Sequence, residues 1–548
     1  MTEMTGAEAI LGQIMANGVD TVFGLPGGQL DYFFDAMYNA GDTITTYCTR
    51  HEQGAAYMAF GYARSTGKPG VYAVVPGPGV LNSTAAICSA YATNAPVFCL
   101  TGQIPTVGLG KGIGYLHELP DQLATMRSLT KWADRAMTPQ EAPGLVNEAF
   151  NYMCGGRPRP ISLEMPMDIM AEKVDVSLLP AADIPAGPAL DTDAIDRAAK
   201  LLAGAKKPMI IAGGGAVAAG PALEQLATFL QAPVVSFRSG RGVISDRGYL
   251  SQMFPAGNDM WKQADVIIGL GTRMEQQYLY WGIGPDMKII RIDIDEEELD
   301  RIDVPEVSIH ADAADAVPAL LAALEKISEP KASREEELTG VKANLRRQIE
   351  EQVQPQVGFL DAIRRALPDD GFFVDEITQA GYASWYAFPV YEPRHHVSCG
   401  YQGTLGYGYA TALGVQAAHP DKAVVNIVGD GGFMFTANEM ATAAAYNLPL
   451  VTVLFNNNKF QNVQRQQKEW FDGRLIASDL HNPDFIKYAD SFGIRAERVT
   501  SPEALERAVK AALERREPCL IEVPTEDMAT PWPFIIREPV FEDGCKRG

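Results

Sequence analysis

Asp430 and Asn457 are the residues whose types and spacing most directly suggest chemistry. Asp430 stands in a Gly-Asp-Gly-Gly turn after one apolar stretch, and Asn457 follows the next apolar stretch, 27 residues later. Carboxylate and amide oxygens are the hard donors that Mg²⁺ prefers, and phosphate oxygens usually complete its coordination. With a backbone carbonyl near Lys459 as a third protein ligand, these residues predict a magnesium site.

Gly431 and Gly432 add a place for phosphate beside that metal. Glycines leave backbone N–H groups open at the start of a helix, where an anion is favoured. A Gly-Asp-Gly-Gly segment alone is more often an ordinary turn, and a run of Asn is more often a loop. The apolar strand before each segment and the pairing of the two segments favour a metal-diphosphate site.

Parallel β-sheets must position these residues. The chain alternates short apolar runs with helical patterns throughout, and near its end the runs are AVVNIVGD, LPLVTVLFN and CLIEVP. Continuous apolar strands separated by helices are typical of parallel sheets that are covered on both faces. Ligands bind at the carboxyl ends of such strands, so Asp430 and Asn457 are expected to meet there. We predict an α/β fold with three doubly wound parallel-sheet domains.

Two segments divide the chain into these domains. Residues 178–188 are rich in Pro and Ala without periodicity, and a charged helical stretch runs from about 325 to 354. Such segments are typical of boundaries. They predict an N-terminal domain, a central Rossmann-like domain and a C-terminal diphosphate-binding domain at 1–175, 189–328 and 356–548. Whether the first and last domains share a fold stays open at this point.

The composition excludes several classes of partner. The net charge is −22, which disfavours nucleic acid and anionic membranes because both are bound by clustered Lys and Arg. No stretch approaches the roughly 20 apolar residues that span a bilayer, and the N-terminus lacks the pattern of a signal peptide. The 7 cysteines are scattered without zinc-site spacing, as in a reducing compartment. We expect a cytoplasmic protein that binds small molecules.

The Gly-Asp-Gly-Gly turn followed by the Asn pair resembles the signature of thiamine diphosphate-dependent enzymes. The resemblance implies that Asp430, Asn457 and the Lys459 carbonyl hold Mg²⁺, which together with Gly431 and Gly432 holds the cofactor diphosphate. It covers nearly the whole chain. It is nearest to the branch of acetolactate synthase, benzaldehyde lyase and benzoylformate decarboxylase.

Glu52 lies in a second matching segment, RHEQGAAYMAFGYAR. As a lone residue it would be a first-turn carboxylate that complements a helix dipole. The resemblance instead implies that Glu52 hydrogen-bonds the cofactor pyrimidine and favours its imino form, whose nitrogen then deprotonates the thiazolium ring. Such a Glu must carry or share a proton, which an apolar site promotes.

Several Gly- and Pro-rich segments supply the other cofactor contacts that the resemblance implies. As isolated strings they are ordinary turns, but their order along the chain matches the family. Leu405 is expected beneath the bent cofactor, where it brings the pyrimidine close to the thiazolium. The remaining contacts are Pro26, Gly27, Asn82, Thr378, Gln379 and Gly403.

The family's shared chemistry converts a 2-oxo acid into an enamine, and the fate of that enamine defines each enzyme. The leading interpretation is a carboligase that resembles acetolactate synthase. The alternatives are a 2-oxo-acid decarboxylase, an aldehyde or 2-hydroxyacyl-CoA lyase, and a catalytically silent regulatory homologue. Glu52, Asp430 and Asn457 are all present, which disfavours a silent homologue.

The positions that would identify the substrate depart from acetolactate synthase. Its active-site Gln falls at His117 or Glu118, and either residue could move a proton, although a surface His-Glu pair is the alternative. Gln29 stands where benzaldehyde lyase has an active-site His. Gln277 and Gln466 replace an Arg and a Trp of the synthase.

A segment after the Asn pair, KFQNVQRQQKEWFDGR, is expected to close over the substrate. Its unassigned candidates are Gln461, Gln464 and Trp470, for which an exposed polar loop is the alternative.

Two expectations concern other bound molecules. Gly213–Gly215 follow an apolar run and suit a nucleotide, either FAD as in acetolactate synthases or ADP or CoA as in acyl-CoA lyases; a purely structural turn is the alternative. Glu52 and Asp430 fall in different domains, and in the family these come from different subunits. The resemblance therefore implies a homodimer or homotetramer that acts on a 2-oxo acid or aldehyde.

Overall fold

A computed structural model describes residues 2–546 of the chain. Among these residues the strands form three six-stranded parallel sheets and one two-stranded antiparallel sheet, with helices between the strands. The predicted fold class, an α/β protein with three parallel-sheet domains, is confirmed. None of the helices in this range combines the length and apolar character needed to cross a membrane.

The first sheet is built from the N-terminal third of the chain. The N-terminal strands are β1 (Thr2–Thr5), β2 (Thr21–Gly24), β3 (Thr45–Cys48), β4 (Gly70–Val74), β5 (Val97–Gln103), β6 (Trp132–Arg135), β7 (Ile161–Pro166) and β8 (Lys173–Val176). The helices are α1 (Gly6–Ala16), α2 (Asp31–Ala40), α3 (Glu52–Thr66), α4 (Pro78–Thr93), α5 (Gln122–Leu129), α6 (Ala142–Cys154) and α7 (Met167–Ala171). The sheet order is β3-β2-β4-β5-β7-β6, and β1 pairs with β8 separately.

The second sheet is central. Its strands are β9 (Met209–Ala212), β10 (Val234–Ser236), β11 (Ser251–Met253), β12 (Val266–Leu270), β13 (Lys288–Asp293) and β14 (Val307–His310). The helices are α8 (Thr192–Gly204), α9 (Gly220–Leu230), α10 (Phe254–Trp261), α11 (Glu296–Asp300), α12 (Ala313–Glu325) and the connecting α13 (Glu335–Gln352). The strand order, β11-β10-β9-β12-β13-β14, is that of a Rossmann fold.

The third sheet is C-terminal. Its strands are β15 (Phe372–Val374), β16 (His396–Val397), β17 (Val424–Gly429), β18 (Val451–Asn456), β19 (Arg495–Arg498) and β20 (Cys519–Pro524). The helices are α14 (Gln356–Ala366), α15 (Gln379–Ala387), α16 (Tyr407–Ala418), α17 (Asp430–Phe433), α18 (Met440–Ala445), α19 (Gln461–Trp470), α20 (Phe485–Asp490) and α21 (Pro502–Arg515). The order β16-β15-β17-β18-β20-β19 repeats that of the first sheet.

Residues 177–191, which precede α8, contain neither helix nor strand, and α8 begins where the Asp191 side chain caps it. The strands of the central sheet lie between 209 and 310. The domain limits 1–175, 189–328 and 356–548 stay a prediction.

Helices α3 and α16 join the first and third sheets into one core. Both helices are largely buried in a shared apolar cluster. A Cβ atom at Gly61 would overlap the Thr411 carbonyl oxygen, and one at Gly414 would overlap the Met58 carbonyl oxygen. The two backbones therefore approach to a distance that only glycine permits, and this contact fixes the start of α3 relative to the third sheet.

Candidate active site

A cavity of about 210 Å³ lies at the carboxyl ends of β15, β17 and β18. In an open α/β sheet, ligands bind at this edge where the strand order reverses, here between β15 and β17. The structure brings together most of the site residues predicted in the C-terminal domain. Those that line the cavity are Thr378, Gln379, Leu405, Asp430, Gly431, Gly432, Asn457 and Lys459.

Asp430 begins α17 directly after β17, and its side chain is buried. Its Oδ2 accepts hydrogen bonds from the Asn458 backbone N–H (2.8 Å) and the Asn482 side-chain amide (2.7 Å). Burial raises the pKa of Asp430, and these N–H donors oppose that effect. A cation at this carboxyl would favour the ionised form further.

Asn457 and Lys459 each have their nitrogen groups engaged by neighbours. The Asn457 side-chain amide donates to Gln461 Oε1 (2.8 Å), so its amide oxygen is the atom it can offer to a metal. Lys459 Nζ pairs with Asp527 Oδ1 (2.7 Å), and its backbone carbonyl is the oxygen that it could offer to a metal. Both residues thus present neutral oxygen donors beside the Asp430 carboxylate.

Glycines keep this cavity open. A Cβ atom at Gly431 would overlap the Phe460 ring, and one at Gly429 would lie 3.1 Å from Thr378 Cβ. Gly403 and Gly406, on either side of Leu405, have φ of 56° and 82°. These left-handed values favour glycine, so the loop that carries Leu405 depends on both residues.

The residues of this cavity fit thiamine diphosphate and Mg²⁺. One carboxylate, one amide oxygen and one backbone carbonyl are hard donors, and Mg²⁺ needs only a few from the protein when phosphate supplies others. Within residues 2–546 no group of three or more His, Cys, Asp or Glu side chains is arranged to hold a metal. A metal here would therefore rely on the mixed oxygen set around Asp430.

Glu52 is the first residue of α3, and its side chain is 13% exposed. Its Oε2 accepts a hydrogen bond from the Asn82 side-chain amide on α4 (3.0 Å). His51 caps the helix by accepting from the Gln53 backbone N–H (3.1 Å). The structure therefore brings together two predicted cofactor-binding residues from different helices of the first domain.

Gln29 and His117 form a hydrogen-bonded pair near the same edge of the first sheet. His117 Nδ1 lies 2.8 Å from Gln29 Oε1, and Gln29 Nε2 donates to the Leu116 carbonyl (2.5 Å). The backbone φ is positive at both residues, 72° at Gln29 and 66° at His117. Positive φ is unfavourable for residues other than glycine. Such backbone strain persists where the surroundings enforce it, often at functional sites.

The Glu118 side chain has different hydrogen-bond partners from the side chain of its neighbour His117. Its carboxylate accepts hydrogen bonds from the backbone N–H groups of Gly112 (3.0 Å), Gly114 (2.7 Å) and Tyr115 (2.9 Å). These hydrogen bonds close the loop that precedes Glu118. Of the two proton-transfer candidates, the geometry therefore favours His117.

Pro26 and Gly27 follow β2 and pack against the Gly/Pro-rich segment after β4. A Cβ atom at Gly27 would lie 2.8 Å from Val75 Cγ1. The Gly77 backbone N–H donates to Gln122 Oε1 (2.8 Å), which anchors the start of α4 and hence Asn82. Sequence reasoning did not identify Gln122, because a Gln at a helix start carries no distinctive pattern.

The cavity around Asp430 is lined by none of the site residues predicted in the first sheet. Every residue that lines the C-terminal cavity lies between 377 and 528. Gln29 follows β2, Glu52 begins α3 and Asn82 lies in α4, and none of them lines this cavity. The C-terminal cavity is therefore formed without the predicted residues of the first sheet.

Three family models match the chain in the order of its sheets. Residues 4–125 match the N-terminal TPP binding domain of thiamine pyrophosphate enzymes, 195–320 the central domain, and 376–523 the C-terminal TPP binding domain. The chain belongs to the thiamine pyrophosphate enzyme family. The predicted family and its cofactor, thiamine diphosphate, are thereby confirmed, and Mg²⁺ conventionally accompanies that cofactor.

Curated relatives cover almost the full chain. A probable 2-ketoarginine decarboxylase (AruI) of Pseudomonas aeruginosa is 33% identical over 95% of this chain and 94% of that protein. A probable acetolactate synthase large subunit of Methanocaldococcus jannaschii is 32% identical over 95% and 92%. The acetolactate synthase isozyme 1 large subunit of Escherichia coli K12 is 28% identical over 97% and 96%.

Two buried carboxylates of this family member were not assigned from the sequence. Glu439 accepts hydrogen bonds from the Arg50 backbone N–H at both oxygens (3.2 and 3.0 Å) and so fixes the segment that leads into Glu52. Glu376, directly after β15, accepts from the Gly406 and Gly408 backbone N–H groups. The sequence signal for Glu376 was its position as an acidic residue just after an apolar strand.

The predicted closing segment forms α19 and the loop after it. Gln461 lines the cavity, while Gln464 is buried and donates to Asp479 Oδ1 (2.7 Å). Gln466 is partly buried, and Trp470 is 64% exposed. Of these candidates, only Gln461 lines the cofactor cavity.

A second cavity, of about 480 Å³, lies where the order of the central sheet reverses between β9 and β12. Gly213–Gly215 line it, and so does Gln277, which therefore lies away from the C-terminal cavity. Five arginines are among the lining residues, and a guanidinium that reaches the cavity would attract phosphate; Arg157 is already paired with Asp295 and Glu298. The five arginines are Arg64, Arg157, Arg238, Arg273 and Arg394.

Proposed function

We propose that the protein uses thiamine diphosphate and Mg²⁺ to form or cleave the C–C bond beside the carbonyl of a 2-oxo acid, as an acetolactate synthase-like carboligase. The observation that supports this most is the oxygen donor set of Asp430, Asn457 and Lys459 at one sheet edge. When bound, the cofactor supplies the carbon nucleophile and the electron sink for this chemistry.

The chain's own residues would hold the metal and the cofactor and would place the groups that move protons. Asp430, Asn457 and the Lys459 carbonyl would hold Mg²⁺, and the Gly431–Gly432 turn would hold the diphosphate. Leu405 would support the cofactor from the loop at 400–408. Glu52, held by Asn82, would share a proton with the pyrimidine ring. His117, bonded to Gln29, would be the residue placed to move a substrate proton.

A decarboxylase is the second candidate, because a polar cavity of about 240 Å³ adjoins the cofactor cavity. The two cavities share Gln379, Gln461 and Met528. Charged residues of both signs line the outer one, namely Arg465, Lys468, Glu469 and Asp527. Glu469 pairs with Arg465, and Asp527 pairs with Lys459 and Lys468. Such a cavity would suit a 2-oxo acid with a long polar side chain, such as 2-ketoarginine, better than pyruvate.

Product analysis distinguishes the two. The protein would be incubated with pyruvate, benzoylformate, glyoxylate or 2-ketoarginine, with and without thiamine diphosphate, and followed by NMR. Acetolactate from pyruvate alone supports the carboligase, and an aldehyde from 2-ketoarginine supports the decarboxylase. Absence of any cofactor-dependent product from all four acids would contradict both candidates.

We also propose that two copies of the chain form each complete site, in a homodimer or a homotetramer. The C-terminal cavity lacks the first-sheet residues, and large apolar side chains beside each half are exposed to solvent. Leu81, next to Asn82, is 45% exposed, and Phe435, after the Gly431–Gly432 turn, is 53% exposed. Apolar residues in such positions suit a contact between copies.

The central cavity is proposed to bind a nucleotide, either FAD or an ADP-containing molecule such as CoA. The Gly213–Gly215 turn and the surrounding arginines suit a diphosphate. A flavin would be visible in the absorption spectrum of the purified protein, and titration calorimetry with ADP and CoA tests the other ligands. If neither flavin nor measurable binding were found, the cavity would be structural only.

A further inference from the structure

Glu376 is a fully buried carboxyl group that contacts two cofactor-binding segments without lining the cavity itself. Its Oε1 accepts a hydrogen bond from the Gly406 backbone N–H (3.2 Å), and its Oε2 accepts one from Gly408 (2.8 Å). It also accepts from the Ile377 backbone N–H (3.1 Å). Its solvent exposure is 0%.

Leu405 is held by these bonds because it directly precedes Gly406, and Gly408 follows two residues later. Residues 398–406 contain neither helix nor strand, and φ is positive at Gly400 and Gly403. Glu376 also supports the diphosphate turn, since a Cβ atom at Gly432 would lie 3.3 Å from its Cδ. One carboxyl group therefore touches the Leu405 loop and the diphosphate turn together.

Burying this carboxyl group is energetically costly. Its hydrogen-bond partners are backbone N–H groups, which compensate desolvation less than a cation would. Burial accordingly raises the pKa of Glu376 to about 8. An apolar residue could fill the same volume at lower cost, so the retained contacts, rather than packing, account for an acidic group here.

We propose that Glu376 is a positioning residue that fixes the loop at 400–408, and thereby holds Leu405 in the place that the bent cofactor requires. The assignment rests on the proposed function for its catalytic consequence. The anchoring of the loop is a property of the protein alone.

The first test uses the protein without cofactor. In Glu376→Gln one oxygen acceptor becomes an NH₂ group, so one of the Gly406 and Gly408 N–H groups loses its partner. Hydrogen exchange measured by mass spectrometry should be faster across 400–408. Glu376→Asp keeps the carboxyl group but shortens the side chain, and it should also speed exchange.

Asp265 provides a matched control, because its carboxylate also accepts two backbone N–H groups, from Lys206 (2.6 Å) and Lys207 (2.9 Å). Asp265→Asn should speed exchange near 206–207 and leave 400–408 unchanged. Unchanged exchange across 400–408 in both Glu376 variants would overturn the proposal, whether or not the protein proves to be a thiamine enzyme.

The second test measures exchange of the cofactor C2 proton, trapped by acid and read by NMR, at saturating thiamine diphosphate. A displaced Leu405 should slow this exchange about 10- to 100-fold in Glu376→Gln, as small misplacements in active sites do. The Asp265 variant should exchange at the wild-type rate. Wild-type C2 exchange in a Glu376 variant with a loosened loop would overturn the positioning role, and failure of the wild type to bind the cofactor would instead contradict the proposed function.

Discussion

Asp430 is a buried carboxylate whose polar partners are uncharged amides. Asn482 and the Asn458 backbone both donate to the same oxygen, Oδ2. This leaves Oδ1 as the oxygen that would face a metal, and the two donors fix the plane of the carboxylate. Asn482 would thus orient the proposed metal ligand, as residues next to metal sites commonly do.

Asp430→Ala is expected to abolish Mg²⁺-dependent binding of thiamine diphosphate, because the variant loses the single charged ligand. Titration calorimetry with and without Mg²⁺ measures the effect. Asn482→Ala should weaken binding by about 10- to 100-fold, the usual range for residues that orient a ligand. Equal cofactor affinity in wild type and Asp430→Ala would contradict the assigned metal site.

Glu52→Gln is expected to lose most turnover and to keep folding and cofactor binding. Gln can still hydrogen-bond Asn82 and the pyrimidine, but it cannot exchange a proton with the ring. Steady-state rates should fall about 10²- to 10⁴-fold, the range for general acid–base residues. Calorimetry shows whether the cofactor still binds, and full activity in this variant would refute the role of Glu52.

The raised pKa of Glu376, about 8, predicts a pH-dependent stability. Burial is the largest cause, so the folded protein holds this proton more tightly than the unfolded chain, where Glu titrates near 4.3. The stabilisation is present below about pH 4 and is lost as pH rises to about 8. Denaturant unfolding at several pH values should show wild type losing stability relative to Glu376→Gln across this window; parallel curves would contradict the prediction.

Sequence reasoning found the residues whose chemistry is visible in their type and order. Asp430 and Asn457 follow apolar strands at a distinctive spacing, and Glu52 lies in a long matching segment. Glu376, Glu439 and Asn482 were not assigned, because their roles depend on backbone N–H groups or side chains far along the chain. Such partners are defined only by the fold.

Helices α3 and α16 cross where a glycine of each helix lies against the backbone of the other. Gly414→Ala places a Cβ atom against the Met58 carbonyl, which is backbone and cannot move aside, so the helices must separate. We expect a loss of about 1–3 kcal/mol in the free energy of unfolding, as for other overpacked cores. Thermal and denaturant unfolding measure it.

Gly340 in α13 provides the control for that substitution. A Cβ atom there meets nothing within 4 Å, and the residue is exposed in a helix interior. Gly340→Ala should therefore stabilise the protein by about 0.5–1 kcal/mol. Equal effects of the two substitutions would show that the crossing is not close-packed.

The inner strands β17, β18 and β20 of the third sheet were predicted from sequence as apolar runs, whereas its edge strands β16 and β19 were not. Inner strands such as β5 and β17 are buried along their whole length and read as continuous apolar runs. Edge strands are exposed on one side, and β19 has the sequence RAER. Tertiary pairing, rather than local pattern, determines such segments.

The whole molecule is expected to work only as an assembly, because Glu52 and Asn82 do not line the cavity around Asp430 in the same chain. Glu52→Gln and Asp430→Ala should each be nearly inactive alone. A mixed dimer of the two carries both defects in one site and neither in the other. Denaturing, mixing and refolding equal amounts should recover about one quarter of wild-type activity, as expected for random pairing in a two-fold dimer.

Recovery of activity requires that both variants refold. The activity of refolded wild type therefore serves as the reference, and Glu52→Gln refolded alone serves as the blank. No recovery in a refolded mixture of the two variants would show that each site is built within one chain.

The repeated strand order of the first and third sheets has a historical consequence. Counted from its first strand, each sheet runs second, first, third, fourth, sixth, fifth. The candidate site residues follow the first four strands in both: Gln29, Glu52, Asn82 and His117 in one, Gln379, Leu405, Asp430 and Asn457 in the other. A duplicated ancestral domain would leave this record, with one descendant specialised for an organic ring and the other for phosphate and metal.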